Sequence, residues 1–248
     1  MIAEATPIDG AYVMRLEKVT DERGFFSRTF CVDEFAAAGI EETFVQQSMA
    51  RNSCRGTLRG MHLQIAPYTE AKYVRCVRGR IFDAIVDLRP ASPTYRATFA
   101  LELDDERGDA IFIPAGCAHG YQTLDDKTDV LYAMSHRYVR GAGRSIRWDD
   151  PHLGIAWPIR PPILSRKDAE APLLEEFLSE AQHEVELHLD RTAQPLQNAH
   201  HADRLVITGA RHEVEHRETI TPPGEIGVFA SKVSIGRRLL IDRPAQFE

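Results

Sequence analysis

Arg59-Gly60-Met61-His62-Leu63-Gln64 sets an imidazole close to a guanidinium, Lys72 follows ten residues after the histidine, and Pro114-Ala-Gly-Cys-Ala-His119-Gly120 brings a second histidine. A base beside a fixed cation suits abstraction of a proton next to a carbonyl. The imidazole can take that proton near neutral pH, and the ammonium can stabilise the enolate oxygen that forms.

Two metal readings compete with this one. Metal-binding cupins carry two histidines at i and i+2 on one strand, a glutamate a few residues on, and a third histidine on a later strand. Here the first pair is His62 and Gln64, so one ligand is missing, and His62, His119 and Glu70 are a weak set on their own. No metal is expected. His212-Glu213-Val214-Glu215-His216 fits the HExxH pattern of zinc proteases, but that pattern needs a helix. Its surroundings, Leu205-Val-Ile-Thr and Thr219-Ile-Thr-Pro-Pro, read as strand and turn, and along a strand the two histidines would stand about 13 Å apart.

The elements that would position these residues are mostly strands. Residues 10 to 160 are short apolar or alternating runs cut by turns, the rhythm of a closed or double-layered β-fold, with His62 and Lys72 expected on neighbouring strands. Tyr73 to Leu88 reads as two strands about a tight turn at Gly79. In the second of them Ile81, Asp83, Ile85 and Asp87 share one face and Phe82, Ala84, Val86 and Leu88 the other. The apolar face should be core, which leaves Asp83 and Asp87 at a polar surface or in a cavity. Further strands are expected at Thr98 to Leu103, Ala110 to Ile113 and Val130 to Ser135, and a short helix at Val32 to Ala38 with Gly39 as its stop. The proline-rich stretch from Trp148 through Pro162 should wrap the barrel as loop.

Past Asp168 the pattern changes. Leu173, Leu174, Phe177, Leu178, Ala181, Val185 and Leu189 recur at helical spacing, so an amphipathic helix is expected over 171 to 190. Residues 191 to 203 read as a linker, and Leu205-Val-Ile-Thr, Ile226-Gly-Val-Phe and Leu239-Leu-Ile as a few strands. The division expected is therefore a β domain over 1–170 and an extension over 171–248.

At 248 residues, with 43% hydrophobic and 27% charged, the chain can bury one sizeable core and a small second unit. A net charge of -7 without a basic run argues against a nucleic-acid partner. The start of the chain lacks a basic region followed by an apolar stretch, and no window approaches the roughly 18 apolar residues of a membrane span. A soluble, cytoplasmic protein is expected. Cys31, Cys54, Cys76 and Cys117 stand singly, as reduced residues rather than disulfides or ligands.

Asp21-Glu-Arg23-Gly-Phe-Phe26, Arg59-Gly-Met-His62-Leu-Gln, Lys72, Asp87-Leu-Arg89, Ser92-Pro-Thr94, Ile113-Pro-Ala-Gly-Cys-Ala-His119-Gly120, Tyr132, Trp148-Asp-Asp-Pro151 and Leu164-Ser-Arg-Lys-Asp168 fall in order along the chain. In these motifs the sequence resembles the nucleoside-diphosphate 4-keto-6-deoxyhexose 3,5-epimerases over about residues 5 to 170. The resemblance implies a mainly β, cupin-type barrel (jelly roll), here followed by a C-terminal helix and small β extension, that works without a cofactor. It implies a nucleoside-diphosphate 4-keto-6-deoxysugar as substrate, a homodimer, and epimerisation at C3 and/or C5 within deoxysugar biosynthesis. It gives His62 the role of base, Asp168 that of holding and charging the imidazole, Lys72 that of stabilising the enolate and Tyr132 that of acid from the opposite face. It sets Arg23, Phe26, Arg28, Gln46, Ser48, Arg59, His119, Tyr138 and Lys167 against the substrate. Arg23 and Arg59 suit the diphosphate, because guanidinium meets phosphate oxygens in a forked geometry.

The chain departs from the family's pattern at the nucleotide end. Arg28 stands where a glutamate is expected, Gln46-Gln47-Ser48 where Gln-Asp-Asn is expected, and Gly143 where an acidic residue is expected. A nucleotide other than thymidine diphosphate, CDP or GDP, is the expectation that follows. The alternatives weighed are a non-catalytic sugar-nucleotide-binding cupin module and a ketoisomerase on the same scaffold.

Overall fold

The computed structural model of the chain describes residues 1–180. The strands are β1 (Ile2–Ala5), β2 (Tyr12–Arg15), β3 (Val19–Asp21), β4 (Gly24–Phe26), β5 (Gln46–Asn52), β6 (Leu58–Gln64), β7 (Lys72–Arg78), β8 (Arg80–Asp87), β9 (Thr98–Asp104), β10 (Ala110–Ile113), β11 (Cys117–Thr123), β12 (Thr128–Met134) and β13 (Gly143–Ser145), with helices α1 (Val32–Ala37) and α2 (Arg166–Ala169). A six-stranded antiparallel sheet runs β1-β2-β10-β7-β12-β5 and a five-stranded one β13-β6-β11-β8-β9, while β3 and β4 form a separate hairpin.

The core has three layers, as the period of two along each strand requires. Between the two sheets lie Val74, Cys76, Ile111, Ile113 and Val130 from one and Ile81, Ile85, Leu103, Cys117 and Tyr121 from the other. Outside the five-stranded sheet, Met61, Leu63, Ala84, Val86 and Ala118 are covered by Ile146, Leu153, Ile155, Trp157, Leu174 and Phe177. Outside the six-stranded sheet, Met14, Tyr73, Ala110 and Phe112 pack with Phe35 of α1.

The strands expected from the sequence form with shifts of a residue or two at their ends, and 148–162 wraps the five-stranded sheet without a strand or helix. Two expectations are corrected. His62 and Lys72 are not on neighbouring strands: β6 and β7 belong to opposite sheets, and the connection from Ile65 to Ala71 is long enough to cross the ~10 Å between packed sheets. Gly79 does not close a hairpin, because β7 pairs with β10 and β12 whereas β8 pairs with β9 and β11. It turns the chain from one sheet into the other with φ +76°, and a Cβ there would come within 2.8 Å of Thr128 Oγ1. Of the two places expected for Asp83 and Asp87, a polar surface or a cavity, the surface is not found. Both faces of β8 are covered, so both carboxylates are fully buried and find partners inside.

Asp87 accepts hydrogen bonds from Arg89, Ser92 and Thr94, which fold the Asp87-to-Thr94 turn onto the barrel end. These bonds outweigh the effect of burial and hold its carboxyl far below the usual range. Within the predicted helix over 171–190, residues 174–180 are helical and carry Leu174 and Phe177 into the outer layer. Residues 171–173 are not helical, and residues 181–190, the linker, the three further strands and the HExxH segment lie outside the described residues. All four cysteines are free thiols, with Cys76 and Cys117 buried.

Candidate active site

The site is built on β6. In a regular strand Arg59 and His62, three apart, would point to opposite faces. Here His119 pairs with His62 but Tyr121 pairs with Arg59, so β6 holds one residue more than β11 across this stretch. That extra residue is a β-bulge, and it turns both Arg59 and His62 into the barrel while Leu58, Met61 and Leu63 keep to the outer layer. Glycine makes the bulge possible. Gly60 has φ +144°, and a Cβ on it would lie 2.5 Å from Gly120 Cα. The glycines of the Arg-Gly-Met-His and His-Gly motifs thus let the two strands press together where both histidines emerge.

Across the inner face of the five-stranded sheet, Ser145, His62, His119 and Ile85 stand in one row. His62 Nε2 lies 2.6 Å from Asp168 Oδ1. Asp168 sits on α2, whose N-cap Ser165 accepts from Asp168 N and donates to Asp168 Oδ2 at 2.9 Å. Burial alone would raise the Asp168 carboxyl, but the bonds from His62 and Ser165 prevail and hold it below its ordinary value. A carboxylate has no proton to give, so Nε2 carries the hydrogen and Nδ1 keeps its lone pair. The imidazole is 39% exposed against 5% for the aspartate, which describes an accessible base on a buried support.

Lys72 rises from the opposite sheet, nearly buried. Its Nζ donates to the His62 carbonyl oxygen at 3.1 Å and stands 3.4 Å from Glu70 Oε1. Burial pushes its ammonium below the ordinary value, against the pull of Glu70 and Asp83. Tyr132 on β12 shares an inward face with Val130, packs against the inter-sheet cluster, and pairs in register with Ser48. Its phenol is raised by burial, with Arg59 pulling the other way, so it keeps its proton at neutral pH. His62 and Tyr132 therefore line opposite walls of one interior. His119 Nε2 meets Asp83 Oδ2 at 2.8 Å, and Arg59 Nε donates to Asn52 Oδ1. Among the described residues, Asp83 Oδ1 and Ser145 Oγ are buried without a hydrogen-bond partner.

The structure thus brings His62, Asp168, Lys72, Tyr132, Arg59 and His119 together. Ser48 and Gln46 face inward on edge strand β5, and Gln46 Oε1 accepts from Tyr138 N at the rim. Tyr138 is exposed and its ring lies over Gly143; Lys167 is exposed beside Asp168. Arg23, Phe26 and Arg28 are not gathered with the interior residues. They lie on or beside the β3–β4 hairpin, where Arg23 is 83% exposed and bonded to Asp21, Phe26 is 77% exposed, and Arg28 pairs with Glu34. Sequence reasoning missed Asp83, Gln64 and Ser165 as members of the site and weighed Glu70 only as a metal ligand. Ser165-x-x-Asp168 had a signal, the spacing of an N-cap and its third helical residue. Among the described residues no group of three or more His, Cys, Asp or Glu side chains is arranged to hold a metal.

Two sheets closed around an aspartate-held histidine define a cupin-type jelly-roll enzyme, and comparison with known proteins specifies which kind. The family model described as dTDP-4-dehydrorhamnose 3,5-epimerase matches residues 5–176. A dTDP-4-dehydrorhamnose 3,5-epimerase of Methanothermobacter thermautotrophicus is 42% identical over 66% of this chain and 89% of its own length. A dTDP-4-dehydrorhamnose 3-epimerase of Streptomyces niveus is 37% identical over 68% of this chain and 82% of its own. The structure of a dTDP-6-deoxy-D-glucose-3,5-epimerase from Legionella pneumophila, in complex with dTDP-4-keto-L-rhamnose, superimposes with a TM-score of 0.68 at 35% identity, covering 73% of this chain and 96% of that one. The chain belongs to the dTDP-4-dehydrorhamnose 3,5-epimerase family. It is an epimerase of nucleotide-linked deoxysugars, in the isomerase class.

Proposed function

We propose that His62 removes the proton alpha to the C4 ketone of a nucleoside-diphosphate 4-keto-6-deoxyhexose and that Tyr132 returns one from the other side, inverting C3, C5 or both. The observation that carries this reading is the His62–Asp168 contact on one wall with Tyr132 on the wall opposite. A base and an acid on the same side would return the proton with retention; on opposite sides they invert the centre. Lys72, buried and joined to the His62 carbonyl, supplies positive charge for the enolate oxygen. Arg59, turned inward by the bulge, binds diphosphate, and His119, held by Asp83, contacts the sugar. Arg23 is assigned to the diphosphate with Arg59, Arg28, Gln46 and Ser48 to the nucleotide end, and Phe26, Tyr138 and Lys167 to substrate binding.

The relatives named above act on or hold dTDP-linked sugars. Arg28 and Gly143 change the charge at the nucleotide end of this chain, and a donor other than dTDP, CDP or GDP, is preferred on that ground. The hairpin supports a homodimer, since its Val19, Phe25 and Phe26 are exposed and apolar and would gain cover from a second copy. A cytoplasmic location agrees with the absence of any helix, among the described residues, long and apolar enough to cross a membrane.

The test is solvent deuterium uptake, followed by NMR, into dTDP-, CDP- and GDP-linked 4-keto-6-deoxyglucose in heavy water. Label at C3 and C5 identifies a double epimerase, label at one carbon a single-site enzyme, and the fastest donor identifies the nucleotide. Binding without label for every donor would overturn the catalytic reading, and a preference for dTDP would overturn the nucleotide assignment.

A further inference from the structure

We propose that Glu70 is a positioning residue of the reaction: fixed by Gln64, it keeps the Lys72 ammonium charged and aimed inside the barrel. The inference rests on the reading that Lys72 stabilises the enolate, and extends it to the group that makes Lys72 fit for that task.

A lysine that is almost wholly buried favours its neutral amine unless negative charge is held nearby. Lys72 Nζ has two near contacts, the His62 carbonyl oxygen at 3.1 Å and Glu70 Oε1 at 3.4 Å, and only the second carries charge. Glu70 is itself shielded from water, with 11% of its side chain exposed, and cannot swing freely. Its Oε2 accepts from Gln64 Nε2 at 2.9 Å. Gln64 is fixed in turn by three backbone groups: its amide nitrogen donates to the Tyr68 and Arg137 carbonyls, and its oxygen accepts from Val139 N at 2.7 Å. Both ends of this amide are thus assigned by their partners.

The charged and titratable groups that bear on Lys72 from the packed strands are few. Asp83 on β8 supports the ammonium from further off and shares its charge with His119. Cys117 on β11 is a thiol pushed up to about 12 by burial, so it stays neutral. On β12 Tyr132 is protonated, and on β6 His62 turns its ring to Asp168 and offers Lys72 its carbonyl. Glu70 is therefore the carboxylate nearest the ammonium. It also bears on Tyr132, whose phenol it raises. One side chain, anchored at the junction of the 65–71 and 135–139 connections, thus acts on the electrostatic stabiliser and the acid together.

The test is the pH dependence of kcat for deuterium uptake in Glu70→Gln, which keeps the shape and the hydrogen-bond acceptor for Gln64 but removes the charge. The expected result is an alkaline limb moved to lower pH by about one unit or more, with kcat lost at least tenfold at pH 9, a smaller loss near pH 6.5, and KM little changed. Glu70→Asp, which keeps the charge, should restore most of the limb, and thermal melts establish that both variants fold. An equal loss at every pH, or a profile that does not move, overturns the inference. Lys72→Met separates it from its premise: if that variant keeps its uptake rate, the role of Lys72 fails; if it loses the rate while Glu70→Gln keeps the parental profile, only the role of Glu70 fails.

Discussion

Replacing Asp168 with Asn removes one charge and almost no volume, which isolates what the carboxylate does for His62. The contact is 2.6 Å with the aspartate 5% exposed, so the pair is held from one side by protein and meets solvent across the imidazole. Two unit charges about 4 Å apart between centres interact by roughly 4 kcal/mol at an effective dielectric near 20. Screening across an imidazole that is 39% exposed takes this down to about 2 kcal/mol, within the range of a hydrogen bond to a charged group. That stabilisation is greatest when His62 holds the abstracted proton, so it belongs to the transition state. At about 1.4 kcal/mol per factor of ten, its loss slows proton abstraction about 30-fold. The asparagine amide can also turn its NH2 toward Nε2, which favours the tautomer with the proton on Nδ1 and adds to the loss. The assay is single-turnover deuterium uptake at saturating substrate beside a thermal melt. A folded variant whose rate stays within threefold of the parent would refute the argument that Asp168 supports the base.

Tyr132→Phe should keep the fold and lower formation of the inverted product about 100-fold, the typical contribution of a positioned acid; chiral analysis of the product checks it, and a fall under fivefold would assign the acid elsewhere. Gly60→Ala puts a Cβ 2.5 Å from Gly120 Cα at a φ of +144°, so a loss of about 2 to 5 kcal/mol is expected from overpacking and backbone strain, read as a drop in Tm. Asp87→Asn removes the buried charge and one of the two oxygens that accept from Arg89, Ser92 and Thr94, and should cost about 3 kcal/mol. Its sign with pH is fixed: a carboxyl depressed in the folded state contributes fully above its unfolded value near 3.9 and less as pH falls through the native value. The stability gap between parent and Asp87→Asn should therefore narrow on acidification below about pH 4, as denaturant midpoints at several pH values would show.

Residue types and spacing made much of this protein readable before any coordinates. Alternation located the strands at Thr98, Ala110 and Val130, because each buries one face against the other sheet, and Val32 to Ala38 was legible from its alanines and Gly39. The four residues to which chemistry was assigned do meet, since three of them lie on inward faces of strands and the fourth is held by a helix cap. What was not legible was which sheet each strand joins. Gly79 between two strong strands looks like a hairpin, and nothing local tells the chain to change sheets. The choice between surface and interior for Asp83 and Asp87 stayed open for a related reason. Period two separates two faces, but the face of Ile81, Asp83, Ile85 and Asp87 is covered by the six-stranded sheet and the other by residues 146–178, and neither cover is visible within β8. Glu70 was weighed only as a metal ligand because it sits in a connection with no periodicity, and the Lys72 that gives it meaning arrives only when two sheets close.

The bulge in β6 explains why the Arg-Gly-Met-His and His-Gly motifs belong together. A barrel interior is apolar by default, and this one admits Arg59, His62, Lys72, Asp83 and His119 through only a few inward positions on adjoining strands. Each is tied to a partner: Arg59 to Asn52, His62 to Asp168, Lys72 to Glu70, and Asp83 to His119. For Lys72, Asp83 and His119, which are buried, pairing lowers the cost of burial, yet an apolar filling of the same volume is often as stable or more so. Among the described residues, Asp83 Oδ1 and Ser145 Oγ beside the two histidines, and Arg75 Nη1 outside the six-stranded sheet, are buried without a protein hydrogen-bond partner. Asp83 Oδ1 and Ser145 Oγ set an acceptor and a hydroxyl beside the two histidines, which suits a polar sugar whose own hydroxyls can bond to them.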